Sequence, residues 1–178
     1  MDTFFDDWPF YGQVALVLFL LALSGFFSMA ETSMLSSNRH RLRAMANGGN
    51  AGAALAERLL KRIDSLLSVL LISNNLINTV LPILVTGIAL HLFGDSGLVL
   101  SIATLVVALL IIIFSEITPK VIGAAFPEKI ASRVGWFILP LTFILQPLLW
   151  FINSFVSGLM KVSGLGPKAF QQAAGFIR

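Results

Sequence analysis

The chain has 178 residues, of which 57% are hydrophobic and 12% are charged, with a formal net charge of +3. Soluble domains carry about 25% charged residues, so this composition, with a mean hydropathy of +0.89, excludes an ordinary soluble domain. The absence of cysteine excludes disulfides, thiolate metal sites and a cysteine nucleophile. The basic residues flank apolar segments and form no basic domain, so nucleic acid is not an expected partner.

Four windows contain no Lys, Arg, Asp or Glu, and they span residues 8–30, 65–94, 96–115 and 134–160. A helix needs about 20 apolar residues to cross the ~30 Å hydrocarbon layer, and each window reaches that length. Strands of a membrane barrel would alternate apolar and polar residues, whereas these windows are apolar throughout. The windows therefore predict an all-α integral membrane protein.

The first window is predicted to be a retained membrane helix, because Asp2, Asp6 and Asp7 give it an acidic flank that is wrong for a signal peptide. Basic residues then predict the orientation. Residues 1–12 carry no Lys or Arg, whereas residues 36–64 hold five Arg and one Lys. The positive-inside rule places the N-terminus outside and residues 36–64 in the cytoplasm. We expect a multi-pass protein of the cell inner (plasma) membrane.

The cytoplasmic residues 36–64 are predicted to form a helical hairpin. Residues 33–46 suit a helical continuation of the first span, and the NGGN turn at 47–50 stops it, since glycine and asparagine tolerate left-handed backbone. Residues 51–62 then form a short amphipathic helix. The second and third windows make a hairpin, and the basic residues of 117–133 return the chain to the cytoplasm.

The fourth window is interrupted by Pro140, Gln146, Pro147 and Asn153. Each proline removes a backbone hydrogen bond and kinks a helix. This pattern favours a Pro-kinked juxtamembrane or re-entrant helix, which leaves residues 161–178 as a cytoplasmic tail or linker. A simple fourth span is the alternative.

Polar residues recur inside the first three windows at helical spacing. Ser24 and Ser28 share one helix face with Glu31, and the asparagines of residues 73–78 share faces at spacings of three and four. Glu116 ends the third window. Packing the three helices together would gather hydroxyl, amide and carboxylate oxygens at about one depth.

Pro119 adds a main-chain oxygen to this set, because a proline cannot bond to the carbonyl four residues earlier, which belongs to Ser115. Broken helices that expose carbonyls within a membrane build cation sites. The histidines, His40 and His91, lie away from the set. Hard oxygen ligands without thiolate or imidazole suit Mg²⁺, Ca²⁺ or Na⁺, and an intramembrane carboxylate such as Glu116 is a functional candidate by default.

Each of these residues also has a structural interpretation. Ser24 and Ser28 form a small-xxx-small pair that serves close helix packing, and asparagines form hydrogen bonds across helices. Glu31 is placed to be hydrated or to pair with a cytoplasmic arginine. Glu116 is placed to reach the interface or to pair with Lys120, four residues on.

Three segments, FFSMAETSMLSSNRHRLRAMANGGN, LISNNLIN and FSEITPKVIGAAFPEKIA, resemble the transmembrane domain of the CorB/CorC and cyclin M (CNNM) family of magnesium transporters, and bacterial CorB-like members above all. The resemblance covers residues 10–160. It implies a homodimer with three membrane helices and a kinked juxtamembrane helix per protomer, an outside N-terminus and a cytoplasmic C-terminus. It also implies an intramembrane Mg²⁺ site open to the cytoplasm and Mg²⁺ efflux, with Na⁺ as a coupling ion proposed for some members.

By motif, the resemblance places the metal ligands on Ser24, Ser28, Asn74, Asn75, Asn78, Ser115 and Glu116. Asn78 and Asn74 are the preferred asparagines. Many relatives have glycine where this chain has Ser115, which puts the tighter backbone approach of glycine in doubt here. Relatives usually continue into paired CBS nucleotide-binding modules, whereas this chain is expected to hold the transmembrane domain, residues 1–160, without those modules.

Magnesium transport is therefore the expected function. Glu116 offsets the cost of dehydrating the ion, neutral oxygens complete a near-octahedral shell, and the helices shift around Pro119. Two alternatives stay open: export of a polyamine or other cation, and a membrane anchor or sensor that moves no ion. An enzyme is not expected, because the sequence shows no nucleophile–base arrangement and no glycine-rich phosphate loop.

Overall fold

The computed structural model of the chain describes residues 9–94, 97–151 and 154–155. All regular secondary structure in these ranges is helical, so the prediction of an all-α fold is confirmed. The helices are α1 (Phe10–Ser36), α2 (Arg39–Asn47), α3 (Ala51–Leu60), α4 (Ile63–Phe93), α5 (Gly97–Ile111), α6 (Thr118–Ala125) and α7 (Pro127–Ile144). A π-helical segment, Ile112–Ile117, joins α5 to α6.

Three helical stretches in the described ranges are long and apolar enough to cross a membrane, namely Phe10–Ser36, Ile63–Leu92 and Leu100–Ala125. The third stretch continues through α6, so its helix runs further than the charge-free window that ends at Ser115. This extension includes Lys120, which the sequence had assigned to the cytoplasmic return. The helix continues because the π-helical segment Ile112–Ile117 leads from α5 directly into α6, which contains Pro119.

The fourth apolar window is a broken helix over the part that the structure describes. Pro140 lies inside α7, α7 ends at Ile144, and a turn at Leu145 separates it from helical residues 146–151. α7 is not among the helices long and apolar enough to span. The tail 161–178 lies outside the described residues, so the cytoplasmic C-terminus stays a prediction.

The connection between α1 and α2 differs from the sequence prediction of one continuous helix through residue 46. Ser37 and Asn38 are extended, with ψ angles of 134° and 116°. The Asn38 side chain accepts hydrogen bonds from the backbone N–H groups of His40 and Arg41, at 2.9 and 3.4 Å. Asn38 therefore caps a new helix, and its capping preference outweighs helical continuation.

The NGGN turn ends one helix and precedes the next, as predicted, but the helix before it is the short α2 and not a continuation of the first span. α2 ends at Asn47 and α3 begins at Ala51, and Gly49 adopts a φ of +93°, a conformation that favours glycine. The Asn50 side chain caps α3 by accepting a hydrogen bond from the backbone N–H of Ala53 at 3.0 Å. The predicted hairpin of short helices is thus present, and it starts after the break at Asn38.

One apolar core joins α1, α2, α3, α4 and α7, and its fully buried members include Met34, Leu42, Leu66, Leu70 and Ile138. The outer faces of the spanning helices remain exposed and apolar, as expected of surfaces that contact lipid. Leu105 on α5, for example, is 63% exposed. The core therefore ties the short helices and α7 to the first two spans, and it positions α1 against α4.

Candidate cation site

Three helical segments bring four of the predicted site residues into one hydrogen-bonded group. The hydroxyl oxygen of Ser24 on α1 lies 2.9 Å from Oδ1 of Asn74 and 2.7 Å from Oδ1 of Asn78, both on α4. The Asn78 side-chain N–H donates to Oε1 of Glu116, in the π-helical segment, at 3.4 Å. We refer to Ser24, Asn74, Asn78 and Glu116 as the oxygen cluster.

The hydroxyl of Ser24 has two oxygen neighbours and one proton. A serine hydroxyl can donate to only one of the two asparagine oxygens, and both of those oxygens are acceptors. The other contact is satisfied by a donor if the Asn74 amide turns its N–H₂ toward Ser24, and by a cation if the amide oxygen stays inward. The group therefore suits both a hydrogen-bonded form and an ion-binding form.

Ser24 and Ser28 lack the usual hydrogen bond of a helical hydroxyl to its own helix. Ser or Thr in a helix commonly bonds a carbonyl of the preceding turn, as Thr32, Ser33 and Thr79 do here. Ser24 and Ser28 are both 0% exposed, yet Ser24 bonds across to α4. The Ser28 hydroxyl has no hydrogen-bond partner among the described residues.

A buried hydroxyl without a partner costs about 1–3 kcal/mol. Ser28 follows Ser24 by one helical turn, so the two hydroxyls lie on the same side of α1. Unpaired buried polar groups in a folded protein often mark a ligand position. Ser28 thus extends the oxygen cluster along α1 with an oxygen that is free to bind.

The π-helical segment carries both Ser115 and Glu116. The N–H of Thr118 bonds to the carbonyl of Ile113, five residues earlier, and Pro119 has no N–H to offer to the carbonyl of Ser115. Single π-helical turns of this kind occur often at functional sites. The segment thus places a carboxylate beside a main-chain oxygen that has lost its usual helical donor.

The side chain of Ser115 has a different role from that of Glu116. Ser115 is buried, and its hydroxyl donates to the carbonyl oxygen of Leu21 on α1 at 3.1 Å. This bond attaches the π-helical segment to α1. The hydroxyl of Ser115 is thus engaged with α1.

Two glycines that the sequence analysis did not single out let α1 approach the third span closely. A Cβ at Gly25 would lie 3.2 Å from the carbonyl oxygen of Phe114 and 3.2 Å from Cγ of Pro119. A Cβ at Gly123 would lie 2.7 Å from the carbonyl oxygen of Met29. Small residues at helix crossings allow such approaches in membranes, and that preference is the sequence signal that could have identified both positions.

Asn75 and Glu31 lie outside the cluster. Asn75 is exposed and its side chain has no hydrogen bond to the described residues, although its carbonyl accepts from Thr79. Glu31 is half-buried and forms no ion pair within the same ranges. Two arginines of α2 pair elsewhere, Arg41 with Glu128 and Arg43 with Glu57, each at 4.0 Å.

The charge balance of the site rests on one carboxylate. Glu116 is half-buried, and no ion pair joins it to Lys120 in the part of the chain that the structure describes. The described ranges also contain no group of three or more His, Asp or Glu side chains that could hold a metal. A cation in the oxygen cluster would therefore be held by one negative charge and several neutral oxygens.

Residues 15–174 match the family model for the Cyclin M transmembrane N-terminal domain, CNNM. The chain is 40% identical over 143 residues to the UPF0053 inner membrane protein YfjD of Escherichia coli (strain K12), with 80% of this chain and 33% of that protein aligned. It is 39% identical over 160 residues to a UPF0053 protein of Haemophilus influenzae, with 90% of this chain and 38% of that protein aligned.

A more distant relative carries a substrate in its name. The Polyamine export protein of Escherichia coli (strain K12) is 28% identical over 175 residues, which cover 84% of this chain and 36% of that protein. The chain thus spans well under half the length of each of these relatives. The family match covers nearly all of the chain, including the whole oxygen cluster, and the resemblance drawn from three sequence motifs is confirmed. The chain belongs to the CNNM transmembrane domain family, also called DUF21 or UPF0053.

Proposed function

We propose that this domain transports Mg²⁺ across the cell membrane, in the direction of efflux, and that the oxygen cluster is its binding site. One observation carries the proposal: the side chains of Ser24, Asn74 and Asn78, from two helices, meet within 2.9 Å of the Ser24 hydroxyl oxygen. The neighbouring carboxylate of Glu116 and the unpaired hydroxyl of Ser28 support it.

The chemistry of these oxygens suits a hard cation, because Mg²⁺ takes carboxylate, amide and hydroxyl oxygens in an octahedron. The contacts of Ser24, at 2.7 and 2.9 Å, are those of ordinary hydrogen bonds. The proposal of Mg²⁺ over Ca²⁺ therefore rests on the resemblance to magnesium transporters.

Each residue has a role in this proposal. Glu116 supplies the charge that offsets loss of water from Mg²⁺, an ion that dehydrates reluctantly. Asn78 turns its amide oxygen toward Ser24 and its N–H toward Glu116. These two hydrogen bonds fix the orientation of the Ser24 hydroxyl and of the Glu116 carboxylate. Asn74 and Ser28 add neutral oxygens, so the ion is bound moderately and can leave.

Movement of the ion requires a segment that can change shape. The π-helical segment keeps the third span continuous by bonding Thr118 to Ile113. Returning one such bond to the ordinary α-helical pattern would rotate Glu116 relative to α1 and α4. We propose that this change, beside the fixed φ of Pro119, opens the site to the other face of the membrane.

Polyamine export is the second candidate, because one relative is named as a Polyamine export protein. A diamine carries two separated positive charges and would favour two acidic or aromatic groups spread along a cavity. The oxygen cluster has one carboxylate and closely spaced neutral oxygens, which favours Mg²⁺. A non-transporting anchor or sensor remains the third possibility, and it predicts no flux in purified proteoliposomes.

The deciding experiment measures thermal unfolding of the purified chain against Mg²⁺, Ca²⁺, Na⁺ and putrescine, for wild type and Glu116→Ala. A ligand that binds only the folded state stabilises it by about 2.7 kcal/mol at 100 times its Kd. We expect Mg²⁺ to stabilise wild type and to have no effect on Glu116→Ala.

The matched control is Glu128→Ala, which removes a carboxylate that faces Arg41 and lies outside the oxygen cluster. This variant should respond to Mg²⁺ as wild type does. An equal Mg²⁺ response in wild type and Glu116→Ala would make Glu116 a structural charge. A response to putrescine alone would favour polyamine export.

The proposal also includes a homodimer, with the N-terminus outside, the C-terminus in the cytoplasm and no enzymatic step. On α5, a row of large side chains is exposed, which a second protomer or lipid would cover: Leu98, Ile102, Leu105 and Leu109.

The orientation predicts opposite labelling at two glycines, because the natural chain has no cysteine. A cysteine at Gly48, in the turn after α2, should react with an impermeant reagent only from the cytoplasmic side. A cysteine at Gly94, at the end of α4, should react only from outside. Labelling of both from the same side would exclude the proposed topology.

A further inference from the structure

A cleft of about 520 Å³ lies between the end of α3, the start of α4 and the α7 region, away from the oxygen cluster. Its wall combines two arginines with apolar and aromatic side chains. The residues that matter here are Arg58, Arg62, Ser65, Phe143, Leu149 and Trp150. The cleft is therefore amphipathic, with a cationic part and an apolar part.

The two arginines are free to bind an anion. Neither Arg58 nor Arg62 takes part in an ion pair within the described ranges, and both are exposed. Lys61, between them in sequence, points to Glu57 at 3.8 Å and does not line the cleft. Asp64 is exposed and is not among the lining residues either. Two unpaired guanidinium groups thus face the cleft without an acidic side chain to neutralise them.

The position of the cleft fits the surface of a bilayer. Arg62 immediately precedes α4, and no charged residue follows from position 65 to position 94. The guanidinium groups therefore lie where the hydrocarbon layer begins. Trp150 is 73% exposed, and tryptophan rings prefer the same interfacial depth. Phe143, 66% exposed, adds apolar surface beside it.

We propose that this cleft binds one anionic phospholipid. Its phosphate is held by Arg58 and Arg62, since guanidinium groups match the geometry of phosphate oxygens, and an acyl chain lies against Phe143, Leu149 and Trp150. Basic pockets between membrane helices are suited to anionic headgroups. This site is separate from the proposed cation site and does not depend on it.

The test measures binding of phosphatidylglycerol to the detergent-purified chain by native mass spectrometry, with phosphatidylcholine as the uncharged comparison. The first variant is the double substitution Arg58→Gln and Arg62→Gln. Its matched control, Arg43→Gln with Lys61→Gln, removes the same charge from residues that face Glu57. A third variant, Ser65→Trp, fills the cleft and leaves both arginines in place.

We expect wild type and the control to retain phosphatidylglycerol in preference to phosphatidylcholine. The Arg58 and Arg62 variant should bind it about thirtyfold more weakly, from about 1 kcal/mol for each basic residue at an anionic surface. Ser65→Trp should also lose the lipid, although its charge is unchanged. Folding of each variant is checked by its thermal unfolding transition.

Equal phosphatidylglycerol binding in wild type and the arginine variant would overturn the proposal, as would equal loss in the control. Undiminished binding to Ser65→Trp would show attraction to surface charge without use of the cleft. Stabilisation by inorganic phosphate alone, equal to that given by the lipid, would assign the arginines to a free anion and exclude the lipid site.

Discussion

The oxygen cluster and the contact between α3 and α7 are both buried helix–helix contacts, but opposite chemistry builds them. Where α3 meets α7, small residues bring the backbones together, and Gly52 packs directly on the carbonyl of Ser132. The hydroxyl of Ser132 is satisfied by the carbonyl of Lys129 in its own helix, at 3.0 Å. At the oxygen cluster, by contrast, the hydroxyls of Ser24 and Ser28 form no hydrogen bond to carbonyls of their own helix.

This difference separates scaffold from site. Close packing of satisfied groups stabilises the fold through van der Waals contact. An unpaired buried hydroxyl such as that of Ser28 costs free energy instead, and it is expected to persist where a ligand needs it. Mutations at the two contacts should therefore differ in whether Mg²⁺ changes their effect.

The largest expected effect is that of Asn74→Asp, at a position only 7% exposed. Without Mg²⁺, the new carboxylate lies among the oxygens of the cluster and should destabilise the fold by about 3–5 kcal/mol, as an unpaired buried charge does. With Mg²⁺, the second charge strengthens ion binding. Thermal unfolding should therefore show a larger Mg²⁺-dependent rise in Tm than in wild type.

The alternative for Asn74 is structural, with its N–H₂ turned toward Ser24 as a donor and no ion involved. An aspartate cannot replace that donor when it is ionised. The variant would then be destabilised to the same extent at every Mg²⁺ concentration. Asn75→Asp, the matched control on an exposed neighbour, also places a charge in a membrane span and should lower stability, but its Mg²⁺-dependent rise in Tm should remain that of wild type.

The next effect is expected at the scaffold, in Gly52→Ala. The added Cβ would overlap the carbonyl oxygen of Ser132, so α3 and α7 must separate, which should destabilise the fold by about 1–3 kcal/mol. The Mg²⁺-dependent rise in Tm should remain that of wild type. The same change at Gly87 on α4, where a Cβ meets nothing within 4 Å, is the control and should be neutral or slightly stabilising. Loss of the Mg²⁺ response in Gly52→Ala would show that scaffold and site are coupled.

The membrane spans and the chemistry of the site could be predicted from the sequence, whereas the rotation of the helices could not. The spans follow from windows without charge, and the chemistry of the site follows from oxygen-bearing residues inside those windows. The rotation of α4 about its own axis could not be predicted from the sequence. Asn74 and Asn75 each share a helix face with Asn78, at spacings of four and three. Packing of α4 against α1 turns Asn74 toward Ser24 and leaves Asn75 exposed. The residues around the two asparagines do not indicate which of them faces α1, because tertiary packing decides it.

Two local features were also underdetermined. Pro119 signals a lost hydrogen bond, but a kink, a break or a π-helical turn can each absorb that loss. In the structure a π-helical turn takes up the loss, with the N–H of Thr118 bonded to the carbonyl of Ile113. Asn38 did carry a signal, since asparagine is a favoured N-cap. The apolar periodicity of the preceding helix concealed it, and the boundary between α1 and α2 was missed for that reason.

The smallest expected effect, and the one that most directly separates site from scaffold, is that of Ser28→Ala. Without Mg²⁺, the substitution removes a buried hydroxyl that has no partner among the described residues, so stability should stay the same or rise by about 1 kcal/mol. With Mg²⁺, the variant should lose part of the ion-dependent rise in Tm, since one neutral ligand is gone. The two effects therefore have opposite signs in the same protein.

Ser33→Ala is the matched control for this change. Ser33 is equally buried on the same helix, but its hydroxyl donates to the carbonyl of Ala30 at 3.0 Å. Its removal should lower stability slightly and leave the Mg²⁺ response unchanged, because a carbonyl of its own helix already satisfies it. If Ser28→Ala behaved as Ser33→Ala does, the hydroxyl of Ser28 would belong to the scaffold, and the cation site would be confined to the four residues of the oxygen cluster.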